Sequence, residues 1–351
     1  MKKIGYFCSY LPKEVLYAFG FLPVRLLPTI EHTGPAEEYL PKNFCSLVKA
    51  ILASVLEGEG QGLEGVAFVN SCDAYRRLYD VWREFIDVEI FGFLDVPRRN
   101  TPAATRQFAR ILRLWVDQLE GWCGQPLTAE ALRTSIGIYN RQRELWQEIQ
   151  SCWARRQIPT ETYLTLRRAL LREDPLETSR KLSEALENLS SHISPHSQGD
   201  KRGDGPRLML LGSLLVKEKM FEAIERAGGR VVAEDSCAAS RELRGKVLES
   251  KELEEMLYDL AAKYLSKPPC SRMRDMPTRL ADISARLKEG QAEGVVCSYF
   301  KFCDLFLAEY PLIRAELAEW GYPVLFLEDE GETSLSGQAR TRMEAFIELL
   351  T

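Results

Sequence analysis

The chain has 351 residues, 45% of them apolar, 28% charged and 10% aromatic, which suits about two globular domains of roughly 150 residues with full cores. Such a composition excludes disorder of the whole chain. The 46 Lys and Arg against 51 Asp and Glu leave a formal net charge of −5, without the basic excess of a dedicated nucleic-acid binder. No apolar run approaches the roughly 20 residues that span a bilayer, so no membrane span is expected.

The start, Met1-Lys2-Lys3, precedes a segment broken by Ser9 and Pro12 and charged at Lys13 and Glu14, so it does not read as a signal peptide, and a cytoplasmic location is expected. Short β-rich apolar runs then alternate with amphipathic stretches, the pattern of parallel strands joined by crossover helices. Strands are predicted at 4–8, 24–27, 65–70 and 88–94, with helices at 12–20, 39–56 and 73–85. Pro12 and Gly20 suit the first turn and the cap of the first helix.

Between residues 101 and 190 the strand signal disappears and helix starts fall at Thr128, Thr160 and Asp174. The pairs Arg155-Arg156 and Arg167-Arg168 in this stretch read as solvated helix faces. Residues 191–206 concentrate Ser, Pro, Gly and charge, as a linker does. Alternation then resumes, with strands predicted at 207–211, 231–233, 294–297 and 324–327. Helices are predicted at 216–227, 253–265, 278–288 and 305–320 and from Gln338 onward. The expected fold class is α/β: an amino-terminal α/β domain over 1–125, a helical bridge and linker over 126–200, and a carboxyl-terminal α/β domain over 201–351.

No GxGxxG follows the first strand, and no GxxxxGK[ST], GxSxG or HExxH occurs, so the usual nucleotide-fold and hydrolase chemistries lack support. The histidines His32, His192 and His196 form no ligand cluster in sequence. Nine cysteines, an odd number, suggest thiols kept for metal, redox or packing rather than disulfides. Cys72 and Cys303 each fall just past a predicted strand, where open α/β sheets collect ligands, and Cys45 falls near a helix start, where N–H groups favour a thiolate. Three thiolates from distant segments suit an iron–sulfur cluster or a soft metal; the competing reading of free Cys is a small buried apolar side chain.

The opening Gly5-Tyr6-Phe7-Cys8-Ser9-Tyr10-Leu11-Pro12-Lys13-Glu14, then Ala18-Phe19-Gly20 and Pro23-Val24-Arg25, form the first part of a longer pattern. Asn70-Ser71-Cys72-Asp73, Phe302-Cys303-Asp304 and Gly337-Gln338-Ala339-Arg340-Thr341-Arg342 with Glu344-Ala345-Phe346 complete it. Together and in this order they resemble the 2-hydroxyacyl-CoA dehydratase and benzoyl-CoA reductase subunit family, including the 2-hydroxyglutaryl-CoA dehydratase D-component. The resemblance implies two Rossmann-like, flavodoxin-like domains with helical additions and a [4Fe–4S] cluster held between them by Cys45, Cys72 and Cys303. It also implies an ATP-hydrolysing iron–sulfur activator protein that delivers a low-potential electron, an acyl-CoA substrate, and pairing with a related subunit or with itself. The activity implied is dehydration, a lyase reaction, or aryl-CoA reduction.

Cys237, Cys270 and Cys297 are extra thiols near predicted strand ends. They leave open a double-cubane [8Fe–9S] cluster, as in some relatives of the dehydratases, and with it a reductase of small molecules; a non-catalytic cluster-carrying partner subunit is a further alternative. Cys8 also borders the expected crevice, whereas Cys123 and Cys152 beside Trp122 and Trp153 read as packing residues. Ser9, Tyr10 and Glu14 in the loop after the first strand are candidates for substrate contact or proton transfer. Gln338, Arg340 and Arg342 are candidates for a CoA phosphate.

Overall fold

A computed structural model describes residues 1–29, 32–191, 205–214, 219–331 and 335–351. Most of the predicted linker, with His192 and His196, lies outside these residues, as does the first part of the helix predicted from 216.

Two four-stranded sheets, all parallel, form the framework. The first comprises β1 (Lys2–Tyr6), β2 (Phe21–Arg25), β3 (Leu63–Val69) and β4 (Glu89–Leu94) in the order β2-β1-β3-β4. The second comprises β5 (Arg207–Gly212), β6 (Arg230–Asp235), β7 (Gly294–Phe300) and β8 (Val324–Asp329) in the order β6-β5-β7-β8. The two orders are the same, so the chain is built as two Rossmann-like halves, as expected. Parallel sheets are covered on both faces, and β7 is accordingly buried along its whole length.

The crossover helices of the first half are α1 (Lys13–Ala18), α2 (Ser46–Ser54) and α3 (Asp73–Phe85). Helix α2 starts later than the predicted residue 39: Pro41 biases the residue before it away from helix, and Cys45 is the N-cap. Four helices replace the strand pattern thereafter, α4 (Pro102–Cys123), α5 (Ala129–Ala154), α6 (Thr160–Arg172) and α7 (Pro175–Ser191). Thr101 and Thr128 cap α4 and α5 by accepting from the Ala104 and Ala131 amides, and Pro102 suits the first turn of α4. The second half adds α8 (Lys219–Arg226), α9 (Leu253–Ser266), α10 (Met276–Glu289), α11 (Asp304–Glu319) and α12 (Gly337–Leu350).

Helices α4 and α5 both join the halves, α4 by packing on β4 and on α9. The 26 residues of α5 pack on α1 of the first half, on α7, and on α9 and β6 of the second. One apolar core runs from Ile4, Val15 and Phe91 through Trp115 and Ile136 to Leu257, Leu260 and Tyr264, so it is shared between the halves. Among the described residues no helix is long and apolar enough to cross a membrane.

Candidate thiol centre

In each sheet the order of the strands reverses the direction of the connections beside the first strand, and ligands collect outside the carboxyl ends at that point. The carboxyl ends of the two sheets face one another. The Ser46 amide donates to the Lys301 carbonyl at 3.0 Å and its hydroxyl to the Asp329 carbonyl at 2.8 Å. From the end of β2, Arg25 donates to the Cys237 carbonyl at 2.8 Å, beyond β6.

Cys45, Cys72 and Cys303 occupy one kind of position: each is the N-cap of a helix, of α2, α3 and α11 respectively. The Cys303 thiol interacts with that of Cys45, and Cys72 in turn lies near Cys303 and Cys8. Helix N-terminal amides point at the sulfurs, those of Ala74 and Tyr75 at Cys72 and that of Phe306 at Cys303. The neighbouring Cys45 thiol, then burial, hold the Cys303 thiol well above its ordinary range. Burial pushes Cys72 up to about 12, against the opposing pull of the Tyr75 and Ala74 amides. A cationic metal centre reverses such a balance, because the thiolate is the metal-ligating form.

Thiols are the ligands an iron–sulfur cluster takes, and three of them stand at these helix N-caps. Among the described residues no three His, Cys, Asp or Glu side chains gather as ligands of one metal ion do. Backbone strain marks the same place: Phe302, just before Cys303, has φ 60°, and Ala239, two residues after Cys237, has φ 67°.

Beside this trio lies a second group of thiols, Cys8, Cys237 and Cys270. Cys8 and Cys270 both act on Cys237 and on Lys267. Cys8 follows β1, Cys237 follows β6 and Cys270 follows α9. Buried cations surround the group: the Arg25 guanidinium is 3.4 Å from the Cys237 sulfur, and Lys267 and Arg272 stand 3.9 and 5.0 Å from the centre of the Tyr10 ring. The Tyr10 hydroxyl, Arg241 Nε, Arg272 Nε, Ser213 Oγ and Ser271 Oγ are buried here without a hydrogen-bond partner. Orphaned donors concentrated in one crevice, with buried cations, suit an electron-rich group there. Cys297, grouped by sequence with Cys237 and Cys270, lies instead inside β7, fully buried beside Arg279, Glu309 and Tyr299.

The other candidates separate. Ser9 borders the crevice, buried, and accepts from Lys267 Nζ through its carbonyl at 2.7 Å and its hydroxyl at 2.8 Å. Tyr10 lies beside it. Glu14 is fully buried in an ion pair with Arg143 of α5 and accepts from the Tyr264 hydroxyl at 2.8 Å. Although burial alone raises a carboxyl, Arg143 holds Glu14 below its ordinary range. This pairing ties α1 to α5 and α9. Gln338 and Arg342 line a separate surface cleft beside Lys219 and Asp329, and Arg342 donates to the Phe326 carbonyl at 2.9 Å. Arg340 lies on α12, away from the thiols.

The sequence alone singles out none of Arg25, Arg241, Lys267 and Arg272 as site residues. A charged side chain closing the apolar run of β2 is the one available signal for Arg25; the others acquire their places only when the halves meet.

The chain is thus an α/β protein of two parallel-sheet halves, with six thiols gathered near the facing strand ends. The sequence pattern of the family described as 2-hydroxyglutaryl-CoA dehydratase, D-component, matches residues 8–350, and the chain belongs to that family. It is similar to the (R)-phenyllactyl-CoA dehydratase beta subunit of Clostridium sporogenes, 25% identical over 99% of this chain and 92% of that one. The lactoyl-CoA dehydratase subunit beta of Anaerotignum propionicum is 26% identical over 99% and 91%. A benzoyl-CoA reductase subunit of Thauera aromatica is 24% identical over 94% and 87%.

Proposed function

We propose that the chain is the cluster-bearing subunit of a 2-hydroxyacyl-CoA dehydratase or aryl-CoA reductase, with Cys45, Cys72 and Cys303 as ligands of a [4Fe–4S] cluster. Membership of a family of dehydratase and reductase subunits makes it an enzyme subunit of these kinds. The observation that supports the ligand set is the meeting of three thiols at the N-caps of α2, α3 and α11. Bound there, the cluster supplies low-potential electron transfer to an acyl-CoA thioester. With no phosphate-binding GxxxxGK[ST] in the chain, the ATP-driven electron input belongs to a separate activator.

The chain's own residues have distinct tasks in this reading. Helix N-terminal amides at Cys72 and Cys303 offset negative charge on the sulfurs. Lys267, held on Ser9, and Arg272 give the crevice wall a positive face beside the Tyr10 hydroxyl, suited to orienting a polarised carbonyl or a carboxylate.

A second reading rests on the Cys8, Cys237 and Cys270 group, which supplies three further thiols for a double-cubane [8Fe–9S] cluster. Iron and acid-labile sulfide, measured on protein isolated or reconstituted without oxygen, separate the readings. About four irons per chain support a single cubane and about eight the double one. Cys72→Ser and Cys303→Ser should each lower the iron bound. Absence of iron after reconstitution, or iron unchanged in both variants, overturns the proposal.

A further inference from the structure

At the opposite end of the carboxyl-terminal half, a cleft of about 800 Å³ opens between the end of α5, the edge strand β6 and the end of α10. Six arginines line it: Arg155, Arg156, Arg207, Arg230, Arg244 and Arg286. The two from the end of α5 are a pair that reads in the sequence as a solvated helix face. Folding brings them against four more from other segments.

Among the described residues only two carboxylates, Glu234 and Glu289, line the cleft beside these six cations. Glu234 is buried and held by Arg167 at 2.7 Å and by the Tyr163 hydroxyl at 2.7 Å. Arg207 pairs with Glu293 at 3.4 Å, and Arg244 and Arg286 share the single carboxylate of Asp282. Arg230 has no carboxylate in ion-pair contact among the described residues; its Nη2 donates to the Ala154 and Trp153 carbonyls at 2.6 and 3.3 Å. Burial first, then repulsion from Arg156 and Arg207, pull Arg230 down to about 10, against the opposing effect of Glu225.

A second observation points the same way. Arg286 is 6% exposed and donates to the Glu234 carbonyl, to Ser240 and to Asp282, yet its Nη2 is buried with no partner. Gln147, Gln150 and Gln291 add neutral amide groups around the same opening. Planar guanidinium forks converging from several directions match tetrahedral oxyanions, each able to accept from two donors. A chain of two or more phosphates carries enough charge to engage several of them at once.

We infer that this cleft binds the polyphosphate group of a small molecule, either free or as part of a nucleotide. The site is distinct from the thiol crevice. Arg207 and Arg230 open β5 and β6, whereas Cys237 follows the far end of β6, and a six-residue strand is about 20 Å long. Binding therefore does not depend on the iron content of the protein.

Titration calorimetry of the purified full chain at about 0.15 M salt, where bulk screening suppresses weak surface association, tests this. Pyrophosphate, inorganic phosphate, sulfate and ADP serve as probes. Pyrophosphate should bind about tenfold or more tightly than sulfate, and Arg155→Glu, at an exposed position, should weaken it by about tenfold or more. Arg106→Glu, on the exposed face of α4, should leave it unchanged. Pyrophosphate indistinguishable from sulfate, or binding insensitive to Arg155→Glu in a variant that keeps its melting temperature, overturns the inference. ADP tighter than pyrophosphate identifies a nucleotide as the source; equal or weaker ADP identifies the phosphate chain alone.

Discussion

Arg272 donates from Nη2 to the Val96 carbonyl at 2.7 Å, and by this bond the segment after α9 holds the loop after β4 of the other half. The same guanidinium reaches the Asn70 carbonyl at 3.2 Å, two residues before Cys72, and the Pro97 carbonyl at 3.2 Å. One buried side chain thus fixes two loops of the first half against the segment that carries Cys270.

Arg272→Ala should leave these carbonyls without their donor and cost about 2–4 kcal/mol of stability, the range for breaking a buried charged hydrogen-bond network. Arg272→Lys should recover only part, since an ammonium lacks the fork that reaches all three oxygens. Hydrogen exchange should rise in the segments 70–73 and 95–98. Unchanged protection there in the alanine variant would show that the loops are held by something else.

Glu242 makes the interface between the halves sensitive to acid. It is buried between Lys13 at 2.7 Å and Arg25 at 2.8 Å, and accepts from the Tyr6 hydroxyl at 3.1 Å. Burial raises a carboxyl, but Lys13 and then Arg25 outweigh it and bring Glu242 from an ordinary 4.5 to about 2. A depressed carboxyl stabilises the fold above its unfolded value, and the contribution disappears as pH falls through the folded one. Stability should therefore fall between about pH 4.5 and about pH 2, by about 3 kcal/mol from this group. Glu242→Gln should lose a similar amount already at pH 7, and its urea midpoint should change less between pH 7 and 3 than that of the parent. Parallel pH dependences in the two proteins would refute the assignment.

The eight strands are legible in the sequence because buried parallel strands read as short apolar runs between turn residues, and each predicted run overlaps an observed strand. The helical stretch is legible from its caps. The start of α2 is not: the periodicity of 39–56 continues across Pro41, and local backbone chemistry overrides it. Cys72 and Cys303 can be nominated because a residue just past a strand has a fixed place in this class of fold. Grouping Cys8 rather than Cys297 with Cys237 and Cys270 depends on how the halves meet. That meeting is set by long-range pairs: Arg25 reaches Cys237 and Glu242 across 212 and 217 residues, and Arg272 reaches Val96 across 176. Glu14 reads as a crevice acid from its loop position, but the side chain turns into the helix packing, where Arg143 balances it.

Gly65 in β3 marks a close approach of two strands. A Cβ there would lie 2.2 Å from Phe91 Cδ2 and 2.8 Å from the Glu89 carbonyl oxygen, the latter in the paired backbone of β4. Gly65→Ala should cost about 3 kcal/mol, the upper part of the range for overpacking, because the backbone cannot step aside as a side-chain tip can. Gly62→Ala meets open space but has φ 78°, so its cost should be only the left-handed penalty of about 1–2 kcal/mol. Thermal unfolding of the two variants checks the order, and a smaller loss at Gly65 than at Gly62 would contradict the strand packing described.

Cys297 and Cys8 provide the sharpest comparison at the thiol centre. Burial pushes the Cys297 thiol up to about 12, and its surroundings are Arg279, Glu309 and Tyr299 in the core of the second sheet. Cys297→Ala should leave the iron content of anaerobically reconstituted protein unchanged and lower stability by about 1 kcal/mol, as loss of a small apolar group does. Cys8 lies in the loop after β1, between Cys72 on one side and Cys237 on the other. If the centre is a single cubane on Cys45, Cys72 and Cys303, Cys8→Ala should retain about four irons per chain; if it is a double cubane, about eight should drop toward four. Iron lost from Cys297→Ala but kept in Cys8→Ala would reverse the grouping of the second three thiols.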